Sequence, residues 1–304
     1  SSCVYLLSFD PEGLPQDKPL PVRISLERED IEMRVRGRIV IQSDASRKTS
    51  EILRAFSSPD SIVDPFSVTT GIVPTGFRNG SYSALMQIGV PGSPLHSATW
   101  DLGGSLLADR KVKDKASGRV STSAPNVPVI FEHEVSFKPG AHEIVAVAHE
   151  ARSGLVASIE TAFDWPSLKG GEPCVGPIAV LQPASGVFMR EGQTRRSGSL
   201  LVPESDPLMT TRPTAFVGIV CRGKGSHAVR AERRLVGDKI HEFPEQEIEM
   251  DEQSCAQVRD VIPSNTLTPG YYRYEIRVSR DDVVLDVGQR EFVALEEPSP
   301  LSDR

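Results

Sequence analysis

The chain has 304 residues, with 34 Lys and Arg against 41 Asp and Glu for a formal net charge of −7. That length exceeds what one core usually holds and points to about two domains. The acidic balance argues against nucleic acid, whose phosphates call for clustered cations. No apolar run approaches the roughly 18 residues of a membrane span.

The chain opens Cys3-Val4-Tyr5-Leu6-Leu7-Ser8-Phe9, with no charged segment ahead of the apolar one. No signal peptide is expected there; Val4 to Phe9 reads as a buried strand. Pro11 to Pro19 is turn-rich, and Leu20–Leu26 and Ile31–Val40 read as extended segments. Two or three strands without a sheet of their own cannot bury a face, so this region needs a cover. The one fair helix spans Glu51–Phe56, opened by Thr49 or Ser50 as N-cap and stopped before Pro59.

From there the dominant period is two. Tyr82, Ala84, Met86, Ile88 and Val90 alternate with Ser83, Leu85, Gln87 and Gly89, as a half-buried strand does. Val129, Phe131, His133, Val135 and Phe137 form a second such set, and Tyr272, Tyr274, Ile276 and Val278 a third. An internal echo joins two of these regions. Ser136 to His142 and Thr266 to Tyr272 each end a strand at Pro-Gly and place an inward side chain two residues after the Gly. Tyr272 fits the tyrosine corner of immunoglobulin-like sandwiches, and His142 is a polar substitute. Either the two turns coincide by chance or the chain holds two successive sandwiches. The second reading gives a first sandwich over 65–164, a linker over 165–174, a second sandwich over 175–295 and a polar tail over 296–304.

Several stretches resemble bacterial von Willebrand factor A-related proteins. They are Cys3 to Pro11, Pro21-Val22-Arg23-Ile24, Val35-Arg36-Gly37-Arg38, Gly76-Phe77, Pro139 to Ile144 and Val175 to Pro183. The resemblance implies that residues 1–43 end an A-type α/β domain, with a short helix and linker over 44–64. The implied fold is therefore all-β: two tandem immunoglobulin-like β-sandwiches preceded by terminal strands of an A-type domain. That family's cation site is Asp-x-Ser-x-Ser, whereas Asp44-Ala45-Ser46-Arg47-Lys48 has Lys in the last place and follows the domain's end. The cation site is not expected in this chain. The resemblance also implies export, extracellular or periplasmic, where thiols oxidise. On that basis Cys221 and Cys255, 34 residues apart, form a disulfide or else are two buried free thiols; Cys3 and Cys174 are expected unpaired.

Motifs of chemistry are sparse. His142 and His149 each precede a Glu, but an odd offset of seven puts them on opposite faces of a strand, so no metal site is expected. Gly223-Lys224-Gly225-Ser226-His227-Ala228 matches a dinucleotide loop only superficially, because a strand-period segment follows it where a helix is required. No cofactor and no catalytic residue is expected. Two functions remain open. One is a non-catalytic, non-enzyme module that binds or scaffolds another protein, with Val4, Tyr5, Leu6, Leu7 and Phe9 docking on that partner, on the A-type domain, or on the sandwiches themselves. The other is an accessory or catalytic domain of an exported enzyme with a dispersed site.

Overall fold

The computed structural model describes residues 10, 12–23, 37–57, 66–93, 96–168, 173–191, 196–203, 208–221, 229–248 and 255–296. The docking strand Val4, Tyr5, Leu6, Leu7 and Phe9, the Gly223–Ala228 loop and the tail after 296 lie outside them. Near the start, β1 (Pro19–Pro21) and β2 (Arg38–Val40) form an antiparallel ribbon, followed by α1 (Asp44–Ser57). Helix α1 begins two turns earlier than its apolar positions suggest. Ser43 caps it, its hydroxyl accepting from the Ser46 N–H at 3.2 Å, and the Ser43 N–H donates to the Asp17 carboxylate at 2.9 Å. Among the described residues there is no parallel sheet flanked by helices here. The expected A-type remnant is corrected to a ribbon and one helix.

The next seven strands make two facing layers. They are β3 (Thr69–Arg78), β4 (Ser81–Val90), β5 (Thr99–Ala108), β6 (Lys111–Ser121), β7 (Val129–Phe137), β8 (Gly140–Glu150) and β9 (Val156–Trp165). β6-β5-β8-β9 is a four-stranded antiparallel sheet, and β7-β4-β3 lies across from it. The hairpins β3–β4 and β5–β6 turn through Asn79-Gly80 and Asp109-Arg110, all four residues at positive φ, as a two-residue turn of the right hand requires. The alternating set Tyr82, Ala84, Met86 and Ile88 lies beside Phe131, Val135 and Phe137 of its own layer and faces Leu102, Leu106, Ile144 and Ala146 in one apolar core.

The remaining strands are β10 (Cys174–Arg190), β11 (Arg196–Pro203), β12 (Leu208–Met209), β13 (Thr214–Cys221), β14 (Val229–Val236), β15 (Ile240–Glu242), β16 (Gln246–Ile248), β17 (Cys255–Ile262), β18 (Gly270–Arg280) and β19 (Val283–Leu295). β12-β19-β18-β14-β15, with β16 beside β14, covers β10-β13-β17. Phe216, Tyr274, Ile276, Val258 and Phe292 fill this second core.

The long strand β10 decides the architecture. Its first part pairs antiparallel with β13, and Val187–Arg190 pairs parallel with β7. One sheet therefore runs β17-β13-β10-β7-β4-β3 through both layer pairs. It rolls over until its two ends meet, where the Gln257 side-chain amide donates to the Pro74 carbonyl at 2.9 Å. A third, smaller core of Val73, Leu85, Leu181, Ala215 and Val217 fills the roll. Two tandem immunoglobulin-like sandwiches would each own their sheets, so that expectation is corrected to stacked β layers sharing a rolled seven-stranded sheet. No helix of the described residues is long and apolar enough to cross a membrane.

Candidate functional site

The roll leaves a cleft of about 650 Å³ where edge strands β3 and β9 meet the flank of β10 and β11. The volume lies in the range of small-molecule sites. Both edges end their sheets, and a hydroxyl pair bridges them: Thr70 and Thr161 are 2.7 Å apart, Oγ1 to Oγ1. Ile159, Phe163 and Ile178 supply apolar wall, and Arg290 supplies a cation at the rim. β11 can come this close to β3 only because position 71 is glycine. A Cβ there would stand 2.4 Å from the Pro203 ring.

Gln87 is the polar group deepest in the cleft wall. It sits on β4 but on the face opposite the alternating apolar set, and it is 4% exposed. Its Nε2 donates to the buried Glu132 carboxylate at 2.7 Å and, more weakly, to the Leu201 carbonyl at 3.4 Å. Arg190 closes on the other Glu132 oxygen at 3.5 Å. This fixes the amide's orientation, because turning it over would set its oxygen against a carboxylate. The Oε1 of Gln87 is buried and accepts no hydrogen bond among the described residues. Such a group normally has a donor. No carboxylate, imidazole or thiol lines the cleft among the described residues. The arrangement can hold and orient a ligand.

Other polar clusters serve the scaffold. Asp101 on β5 receives Lys48 from α1, the Arg119 guanidinium at 2.6 Å and His149 at 3.1 Å. Burial opposes its ionisation, yet these hydrogen bonds hold its carboxyl well below the ordinary range. The cluster pins α1 to the outer face of the four-stranded sheet. In the second core, Arg233 on β14 reaches Asp260 on β17 at 2.8 Å, and the Tyr274 hydroxyl donates to the same carboxylate at 2.5 Å. Burial first, then that carboxylate, raises the Tyr274 phenol.

The residues singled out from sequence are scattered. Cys221 and Cys255 form a disulfide between β13 and β17, and Cys174 is a free thiol. The Tyr272 hydroxyl donates to the Thr268 carbonyl at 2.8 Å and accepts from the Thr268 N–H at 3.0 Å, tying down the turn before β18. His142 lies at 2.8 Å from the Gly140 carbonyl and stacks on Phe163. His149 sits on the other face of β8, against Asp101. Neither corner residue borders the cleft, and the docking strand lies outside the described residues. Thr70, Gln87, Thr161 and Arg290 carry no motif. One signal did exist: Leu85 interrupts the polar side of β4, and a strand with apolar residues on both faces is covered on both.

The chain matches no protein-family model and no curated protein. Among solved structures it is similar to a putative β-galactosidase from Bacteroides fragilis, at 10% identity and a TM-score of 0.27, over 72% of this chain and 33% of that one. It is similar to red sea bream transglutaminase at 8% identity and a TM-score of 0.25, over 84% and 34%. It is also similar to a β-glucuronidase from Bifidobacterium dentium, at 8% and 0.25, over 77% and 49%. The chain thus spans between a third and half of these proteins' lengths. No family model matches the chain, and its described first residues form a ribbon and one helix, so the von Willebrand factor A-related resemblance is corrected. The similar structures carry the names of enzymes, so the reading of the chain as a non-catalytic, non-enzyme binding or scaffolding module is corrected and not carried forward, and no activity passes to this chain. Likenesses of this TM-score do not identify a reaction.

Proposed function

We propose that this chain is an accessory part of a larger enzyme and that its cleft holds a hydroxyl-rich, ring-shaped ligand. The observation that carries this reading is a cleft of about 650 Å³ in which the facing Thr70 and Thr161 hydroxyls stand between apolar walls. The Thr70 and Thr161 hydroxyls can each donate or accept, and Phe163 and Ile178 pack against the ring's apolar edge. The described lining residues include no carboxylate, imidazole or thiol, so on this reading the cleft contributes positioning and the reacting groups come from elsewhere in the enzyme. The Cys221–Cys255 disulfide supports a place outside the reducing cytosol. The first core lies mostly within 65–164 and the second within 175–295, which supports these as its two building units, with Val187, Ile219 and Cys221 reaching across into the first.

The test is titration of the full chain with mono- and oligosaccharides, followed by calorimetry and by amide NMR shifts. Saturable binding is expected to shift the Thr70 and Thr161 backbone amide resonances. Replacing Thr70 and Thr161 together by Val should weaken it at least tenfold while leaving the thermal midpoint within a few degrees. Absence of saturable binding across the panel, or binding indifferent to that double substitution, would refute the reading.

A further inference from the structure

Three of the four cysteines stand in one row. β10, β13 and β17 are adjacent antiparallel strands, and their register places Cys174 opposite Cys221 and Cys221 opposite Cys255. Residues directly opposite in an antiparallel sheet share a face, with Cβ atoms about 4.5–5.5 Å apart. All three side chains do pack on the same side, against the first core: Cys221 fully buried, Cys174 and Cys255 partly so. A row across strands runs perpendicular to them, so the Cys174 sulfur approaches Cys221 from the side opposite Cys255. Thiol–disulfide exchange has this requirement: attacking, central and leaving sulfurs in line.

We propose that these cysteines form an exchange relay in which one disulfide moves between Cys221–Cys255 and Cys174–Cys221. The Cys174 thiol loses its proton, and the thiolate attacks Sγ of Cys221. The Cys174–Cys221 bond forms as the Cys221–Cys255 bond breaks. The electron pair leaves on Sγ of Cys255, which takes up a proton. One thiol and one disulfide stand on each side, so no oxidant or reductant is consumed. The move transfers the covalent tie from the β13–β17 pair to the β10–β13 pair. It leaves β17, whose Gln257 closes the roll on Pro74, without a covalent tie to β13.

Among the described residues, the titratable groups facing the Cys174 thiol are the Tyr82 phenol from β4 and the Asp286 carboxylate from β19. Burial, reinforced by Asp286, pushes this thiol up to about 11. The thiolate is scarce at neutral pH, so the relay is slow there and quickens with alkalinity.

The experiment uses the full chain carrying Cys3→Ser, which removes the fourth sulfur as an attacker. The protein is incubated without reductant between pH 7 and 10 and quenched in acid. Free thiols are then blocked with N-ethylmaleimide, and the peptides are mapped by mass spectrometry without reduction. Molecules with a Cys174–Cys221 linkage and maleimide on Cys255 are expected, their initial rate rising about tenfold from pH 8 to 9 as the thiolate fraction does. Adding Cys174→Ser should abolish the Cys255 label. Separately, Cys255→Ser treated with oxidised glutathione should yield the Cys174–Cys221 linkage. If only Cys221–Cys255 is found at every pH while circular dichroism shows a native fold, the relay does not exist. It is likewise overturned if folded Cys255→Ser keeps Cys174 and Cys221 unlinked. Should Cys255→Ser fail to fold, the pH series on the parent chain decides alone.

Discussion

The two principal cores solve the same packing problem with different chemistry. The first is closed by rings: Tyr82, Phe137, Phe163 and Trp165 meet at centroid distances of 4.9–5.9 Å, largely edge to face or tilted. Its one buried hydroxyl there, on Tyr82, donates to the Pro166 carbonyl at 2.6 Å. The second core stacks Phe216 on Tyr274 at 4.2 Å but also buries the Arg233–Asp260 ion pair between its sheets. Arg233 is fully occupied, its other nitrogens donating to the Pro244 carbonyl at 2.7 Å and to Gln246 at 3.2 Å. The contrast shows that a strand's inward set need not be apolar. It must be satisfied, and a satisfied charge fixes which strands face each other.

Breaking the ion pair from one side is expected to have the largest effect. Asp260→Ala strands the Arg233 charge in the core and should cost about 3–5 kcal/mol, whereas an apolar pair of similar volume at both positions should restore most of that. Urea unfolding of the single and double variants checks both halves of the statement. The matching cut in the first core, Trp165→Ala, should cost about 3–5 kcal/mol through the cavity it leaves, with no rescue from a second change.

The disulfide adds an asymmetry. Opening the 34-residue loop between Cys221 and Cys255 by Cys255→Ser should lose about 3–4 kcal/mol in the entropic account. Less loss means that Cys174 has taken over the bond. Tyr82→Phe should cost about 1 kcal/mol, the net worth of one hydrogen bond, and thermal unfolding would register it as a shift of a few degrees.

The smallest effects come from the carboxylates at the sheets' outer faces, one in each half. The Asp101 and Glu275 carboxyls are held below their ordinary ranges: burial works against each, and hydrogen bonds from Arg119, Lys48 and His149, or from Arg234 and Arg273, outweigh it. A carboxyl lowered by folding stabilises the protein above its unfolded pKa, and that contribution drains away as pH falls through the folded value. The stability gap between the parent chain and Asp101→Asn should therefore be full at pH 6 and shrink steadily below about pH 4. A gap unchanged at pH 2.5, measured by urea midpoints, would mean that the Lys48, Arg119 and His149 contacts contribute no charge term.

Period-two patterning located individual strands well. The sets at 82–90, 129–137 and 272–278 lie in β4, β7 and β18, and Asp281-Asp282 turns the last hairpin with both residues at positive φ. Those signals are local, because alternation and turn chemistry act within a few residues. Partner choice is not local. Nothing near Val129 announces a parallel neighbour at Val187, yet that pairing fuses the layers into one sheet. The cleft was equally hidden. Thr70 and Thr161 are 91 residues apart, and Gln87 sat among positions that alternation assigned to solvent. Helix α1 was seen only in its second half, since Asp44 to Ser50 is polar on every side and its start is set by Ser43 and Asp17.

The shared strand also sets an order of events during synthesis. One edge of β7 is taken by β4 and the other by Val187–Arg190 of β10. When the chain has been made only as far as Trp165, the four-stranded sheet and β7-β4-β3 have all their strands, but β7 ends its sheet with bare amides and carbonyls. An uncovered edge of that kind recruits strands from other chains. Ribosomes pausing between residues 165 and 190 would prolong that exposure, and those emerging swiftly through β10 would bury it. Slowing translation over these 25 codons is expected to lower the yield of folded chain, an effect that no contact in the finished molecule reveals.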